Sequence, residues 1–191
     1  MPRYAALLRA INVGGHVVKM PRLRTEFEAL GFGGVATYIA SGNVLFDAAG
    51  RSGPALERRI AAALERALGY AVAAFVRTPS ELAVAAAHAP FADFAPGDAL
   101  YVGFLARALT ATEAGALRTA FAGPSDDFAA HGRELFWRCR GRSSDSAFTL
   151  KKFERLVGIE ATFRNVSTVR ALDARLSAPD PGAPRRARRR P

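Results

Sequence analysis

The sequence predicts an α+β fold in which a β-α-β-β-α-β order of elements occurs twice. Three observations carry this. Apolar stripes at helical spacing follow prolines or capping boxes. Short apolar or alternating runs bounded by Gly, Asn and Ser separate them. The order of the first 77 residues returns in residues 100–163.

Residues 3–8 (RYAALL) read as a strand that ends at Arg9. Ala10 to Met20 contains Gly14-Gly15 and must be a loop. Pro21 suits the first turn of a helix carrying Leu23, Phe27 and Leu30 on one face, and Gly31 ends it. Residues 34–40 form a strand, Ser41-Gly42-Asn43 a turn, and Val44-Leu45-Phe46 the start of the returning strand. Pro54 opens a helix with Leu56, Ile60, Leu64 and Leu68 on one stripe, and residues 71–77 are the fourth strand.

Thr78-Pro79-Ser80-Glu81 is a capping box with proline at the first helical position, so a linking helix begins there and stops near His88, ahead of Pro90. Leu100–Leu105 is a strand, and Thr110-Ala111-Thr112-Glu113 caps a helix carrying Leu117 and Phe121. Asp127–Ala130 and Glu134–Cys139 read as a hairpin around His131-Gly132. A helix over 148–157, a short strand over 161–163 and a final helix capped by Asn165 complete the chain. The order β-α-β-β-α-β is that of the ferredoxin-like unit. The predicted organisation is an N-terminal ferredoxin-like half (1–77), a linking helix with a C-terminal ferredoxin-like half (78–176), and an Arg/Pro-rich tail (177–191) expected to be disordered.

Composition narrows the function classes. The chain has 191 residues and a net charge of +10, with 24 Arg against 3 Lys; residues 179–191 contribute +4 of that. A basic balance favours a polyanionic partner, but 40 alanines alongside the arginines also fit a compositional bias of the coding sequence. One cysteine, Cys139, excludes a disulfide framework and a cysteine-based zinc site. The three separated histidines carry no metal signature, so no metal and no cofactor are expected. No apolar run approaches a membrane span, and Arg9 interrupts any signal-like segment, so a cytoplasmic protein without a membrane partner is expected.

Two signatures stand out. Ala6-Leu7-Leu8-Arg9-Ala10-Ile11-Asn12-Val13-Gly14-Gly15 and Thr37-Tyr38-Ile39-Ala40-Ser41-Gly42-Asn43-Val44-Leu45-Phe46 resemble the ALLRGINVGG and TYIQSGNVVF motifs of a bacterial family catalogued as domain of unknown function 1697. Residues 161–169 (ATFRNVSTV) are similar to its closing ATTRNWNTV, and the resemblance covers residues 3–176. It implies the duplicated ferredoxin-like architecture and no reaction. Alanine replaces the usual glycine at position 10 and the usual glutamine at 40, and valine the usual tryptophan at 166.

The leading candidate site is Arg9, Asn12, Gly14, Gly15 and Lys19, where a strand end crosses a glycine pair into a helix. Such a segment offers backbone N–H groups, a helix N-terminus and a guanidinium fork to a phosphate-bearing ligand. It matches neither standard phosphate-loop motif, and the competing reading is a loop in which the glycines supply positive φ and Asn12 bonds its own backbone. Ser41, Asn43 and Arg164 are candidate additional contacts, against turn geometry for the first two. A second reading is nucleic-acid binding. Alternation puts Leu135, Trp137 and Cys139 on a core face and Phe136, Arg138 and Arg140 on the opposite face, where an exposed aromatic among arginines would stack on bases. A solvated strand face competes with it. A third is a protein-interaction module using a sheet edge or the groove between halves. No general base is identifiable, so the sequence does not decide whether the protein is an enzyme, nor its oligomeric state.

Overall fold

The computed structural model describes residues 1–12, 15–50 and 53–178. Gly14 and the tail residues 179–191 therefore lie outside the described residues. The elements run β1 (Arg3–Leu8), α1 (Met20–Ala29), β2 (Gly33–Tyr38), β3 (Asn43–Asp47), α2 (Pro54–Leu68), β4 (Ala74–Arg77), α3 (Pro79–Ala87), β5 (Asp98–Leu105), α4 (Ala111–Ala120), β6 (Asp126–His131), β7 (Glu134–Arg140), α5 (Leu150–Val157), β8 (Ala161–Asn165) and α6 (Val166–Ser177). A short 3-10 turn, Ser143–Asp145, precedes α5.

The strands make two four-stranded antiparallel sheets. Their orders are β2-β3-β1-β4 and β6-β7-β5-β8, so the second repeats the first strand for strand. The registers repeat as well. Leu7 pairs with Asn43 as Phe104 pairs with Glu134. Leu8 pairs with Ala74 as Leu105 pairs with Ala161, and Ala5 with Arg77 as Val102 with Arg164.

Alternation along the central strands explains how the sheets are covered. Tyr4, Ala6 and Leu8 of β1 face outward, against Leu23 and Phe27 of α1 and Ile60 and Leu64 of α2. Leu135, Trp137 and Cys139 of β7 pack outward with Leu117 of α4 and Phe153 of α5. The remaining faces of both sheets share one core. Ala5, Leu7 and Leu45 meet Val102, Phe104 and Phe136 there, together with Leu82 and Ala85 of α3 and Val169, Leu172 and Leu176 of α6. The linking and terminal helices thus hold corresponding places, each following the last strand of its sheet.

Boundary differences have local causes. The strand predicted over 34–40 stops at Tyr38, because Ile39 has φ 49° and cannot continue a ladder. The strand predicted over 71–77 begins only at Ala74; the left-handed Gly69 ends α2, and the intervening residues turn the chain back. The short strand predicted over 161–163 extends to Asn165, paired along β5. Thr149 caps α5, which therefore starts at Leu150 rather than Phe148.

Candidate functional site

The Ser-Gly-Asn turn and Arg164 do meet, in the interior. Arg164 is only 8% exposed, and its five N–H groups are all engaged by the protein. Nε donates to Asn43 Oδ1 (2.7 Å), Nη1 to Thr162 Oγ1 and the Phe163 carbonyl, and Nη2 to the carbonyls of Leu8 (2.8 Å) and Ser41 (2.7 Å). Asn43 is fully buried, and its amide donates to the Tyr38 carbonyl and Ser41 Oγ. Gly42 is required in this turn. It has φ 78°, and a Cβ there would sit 2.9 Å from Ile11 Cβ. No donor of Arg164 and no amide proton of Asn43 is left for a ligand. These residues clasp β8 of the second sheet to the ends of β1 and β3 of the first: Arg164 and Asn43 spend their donors inside the protein, and half-buried Ser41 accepts from Asn43 through Oγ. Among the described residues no carboxylate pairs with Arg164, and burial draws its pKa down to about 10.

A reciprocal clasp runs the other way and was not anticipated. Arg77, fully buried on β4 at the position corresponding to Arg164, donates from Nε to Glu134 Oε1 (2.6 Å) and from Nη2 to the carbonyls of Leu105 and Arg133 (3.1 Å each). Leu105 and Glu134 correspond in register to Leu8 and Asn43. Burial lowers the Arg77 pKa, and the Glu134 carboxylate opposes that shift. A signal existed in the sequence: Ala74-Phe75-Val76-Arg77-Thr78 and Ala161-Thr162-Phe163-Arg164-Asn165 both place arginine one residue before a helix N-cap.

The face expected to bind nucleic acid is covered at Phe136 and Arg138 and exposed at Arg140. Phe136 is fully buried in the core shared by the two sheets, 4.7 Å from the His88 ring. Arg138 is 4% exposed, paired with Asp93 and Asp127, and lies over the Phe91 ring. Arg140 is bound to Asp127 and to the Pro124 carbonyl. Alternation sorted these side chains correctly, but on the second face of β7 Phe136 meets the other sheet and α3, Arg138 meets Phe91 and Asp93, and Arg140 alone of the three is exposed. Phe136 cannot stack on a base without unfolding the core.

The leading cluster divides. Asn12 locks its own loop: Nδ2 donates to the Ala40 carbonyl and Oδ1 accepts from Val18 N–H (2.6 Å). Its φ of 55° and that of Ala10, 66°, place two non-glycine residues in the left-handed region, beside Ile39 with the same conformation across the Asn12–Ala40 bond. Gly15 is also left-handed, with open space where a Cβ would be. Lys19 is exposed and precedes α1 without capping it through its side chain.

Arg9 is different. It leaves β1 into a cleft of about 340 Å³, whose walls include Arg58 and Glu65 of α2, the chain from Ala71 to Phe75, Ala106 and Glu160. Its Nη2 pairs with Glu154 (2.7 Å) and its Nη1 with Glu160 (3.1 Å). The cleft straddles corresponding residues of the two sheets. Arg9 follows Leu8 as Ala106 follows Leu105, and Ala73 precedes Ala74 as Glu160 precedes Ala161; all four line it. In each pair one member is charged and the other is alanine.

Comparison with known proteins places the chain. The family described as Protein of unknown function (DUF1697) matches over residues 1–136. The chain belongs to that family. Its fold is similar to that of the conserved bacterial protein SP0830 from Streptococcus pneumoniae, with 23% identity, a TM-score of 0.73, and 93% of this chain and 99% of that one covered. No curated protein matches the sequence. The DUF1697 match includes Arg9, Asn43 and Arg77 and stops before Arg164. Among the described residues, no three His, Cys, Asp or Glu side chains come together to hold a metal, and no helix is long and apolar enough to cross a membrane.

Proposed function

We propose that this DUF1697 protein is a cytoplasmic binding module built from two ferredoxin-like units, and that it takes a small phosphate-bearing ligand in the cleft at Arg9. The repeated strand order, the repeated registers and the reciprocal Arg77 and Arg164 clasps support the duplicated architecture. The observation that carries the functional reading is the asymmetry at the cleft. Where the two units meet, one has a guanidinium, Arg9, at the position where the other has Ala106. Arg9 is about a third exposed, and no hydrogen bond engages its Nε among the described residues, so it reaches a ligand as Arg164 does not. A planar fork of this kind suits phosphate oxygens.

A thermal-shift panel of nucleotides, sugar phosphates and inorganic phosphate tests this. At least one phosphate compound raises the melting temperature of the wild type, and Arg9→Ala abolishes that shift. The substitution leaves the fold intact, because partly exposed ion pairs contribute little to stability. A wild type indifferent to every compound, or a shift that survives Arg9→Ala, overturns the proposal.

A further inference from the structure

The two carboxylates on Arg9 are not equivalent. Glu154 is anchored: Oε2 accepts from Arg9 while Oε1 accepts from the Ala161 N–H at the start of β8. Its side chain is 19% exposed. Glu160 is 60% exposed, and among the described residues its carboxylate has no hydrogen-bond partner except Arg9 Nη1. An anion entering the cleft therefore exchanges with Glu160 and leaves Glu154 in place. That exchange strands a carboxylate next to the incoming anion, and like charges at such a distance repel. The walls add Arg58 together with Glu57 and Glu65 of α2, so the cleft carries both signs rather than a positive field. A ligand with only negative charge gains Arg9 and meets Glu160. A ligand with an ammonium group a few bonds from its phosphate gains both.

We infer that the ligand of this cleft is zwitterionic, its phosphate replacing Glu160 on Arg9 and its cationic group taking the released Glu160 carboxylate. This rests on the reading of the Arg9 cleft as a phosphate site. Isothermal titration of the full chain with O-phosphoethanolamine and with ethyl phosphate separates the two ideas, because the probes differ in the amine. The wild type is expected to bind O-phosphoethanolamine about tenfold more tightly, the order of one charge-assisted hydrogen bond. Glu160→Gln is expected to bring the two affinities within about twofold, with an unchanged melting temperature showing that the exposed substitution leaves the fold intact. Equal affinities in the wild type overturn the zwitterion and leave the phosphate site standing. A preference that persists in Glu160→Gln overturns the role of Glu160. If neither probe binds, both readings fall.

Discussion

Replacing Arg164 by methionine isolates the clasp between the sheets. The substitution keeps an unbranched side chain that reaches about as far as Nε and removes five N–H donors. Three of the acceptors it abandons, Asn43 Oδ1 and the carbonyls of Leu8 and Ser41, belong to the first sheet. The Leu8 carbonyl keeps a bond from Thr162 Oγ1 (3.3 Å), whereas Asn43 Oδ1 and the half-buried Ser41 carbonyl lose their donor; each buried acceptor left unpaired costs about 1–3 kcal/mol. Part of that sum is offset, because a guanidinium with no carboxylate partner no longer has to be desolvated. The expected net loss is about 2–4 kcal/mol, a large share of the ~5–15 kcal/mol that holds a typical domain. With a urea m-value of about 2 kcal/mol/M, the unfolding midpoint falls by roughly 1–2 M. Fluorescence of Trp137, the only tryptophan, whose Nε1 donates to Asp126, provides the readout in the second sheet. A midpoint lowered by less than about 0.5 M at unchanged slope refutes the clasp as a major tie between the sheets.

Two further outcomes follow from single contacts. Gly103 lies opposite Phe163, whose ring would be 2.5 Å from a Cβ at that position, so Gly103→Ala forces the ring aside and costs about 1–3 kcal/mol, measured by urea unfolding. His88 stacks on His131 at 4.5 Å, and burial, followed by repulsion from His131, holds its pKa below the ordinary histidine value of 6.5. Below that value the unfolded chain binds a proton that the folded His88 resists. This residue's contribution to stability is therefore complete above about pH 6.5 and declines as pH falls below it. Imidazole resonances followed by NMR should show His88 titrating below pH 6.5, and His88→Gln should lessen the loss of urea resistance between pH 7.5 and 5.5.

Local chemistry was legible in the sequence wherever a few neighbouring residues decide the outcome. The Thr78/Glu81 and Thr110/Glu113 capping boxes form as reciprocal pairs, and the prolines at 21, 54 and 79 stand at helix starts. Alternation in β7 separates Phe136 from Trp137 as expected. What covers the second face of a sheet is a tertiary matter, and no local pattern distinguishes a solvent-facing Phe136 from one packed against a second sheet. The same gap explains Arg164. A strand-end arginine and a distant Ser-Gly-Asn turn look like ligand contacts until the chain brings them 2.7 Å apart and each satisfies the other. Arg77 is not legible as an interior residue, because a charged residue ending an apolar strand reads as exposed, although it is the largest fully buried side chain among the described residues. Arg9 was legible as a candidate, but its two carboxylate partners come from 145 and 151 residues away, beyond the reach of any motif.

A crystal structure of the protein soaked with O-phosphoethanolamine examines the Arg9 cleft most directly. The account predicts phosphate density within about 3 Å of Arg9 Nη1 or Nε, Glu154 unmoved, and the Glu160 carboxylate turned onto the ammonium group. Arg9 still paired with both Glu154 and Glu160, in a cleft without ligand density at a saturating soak, would contradict it.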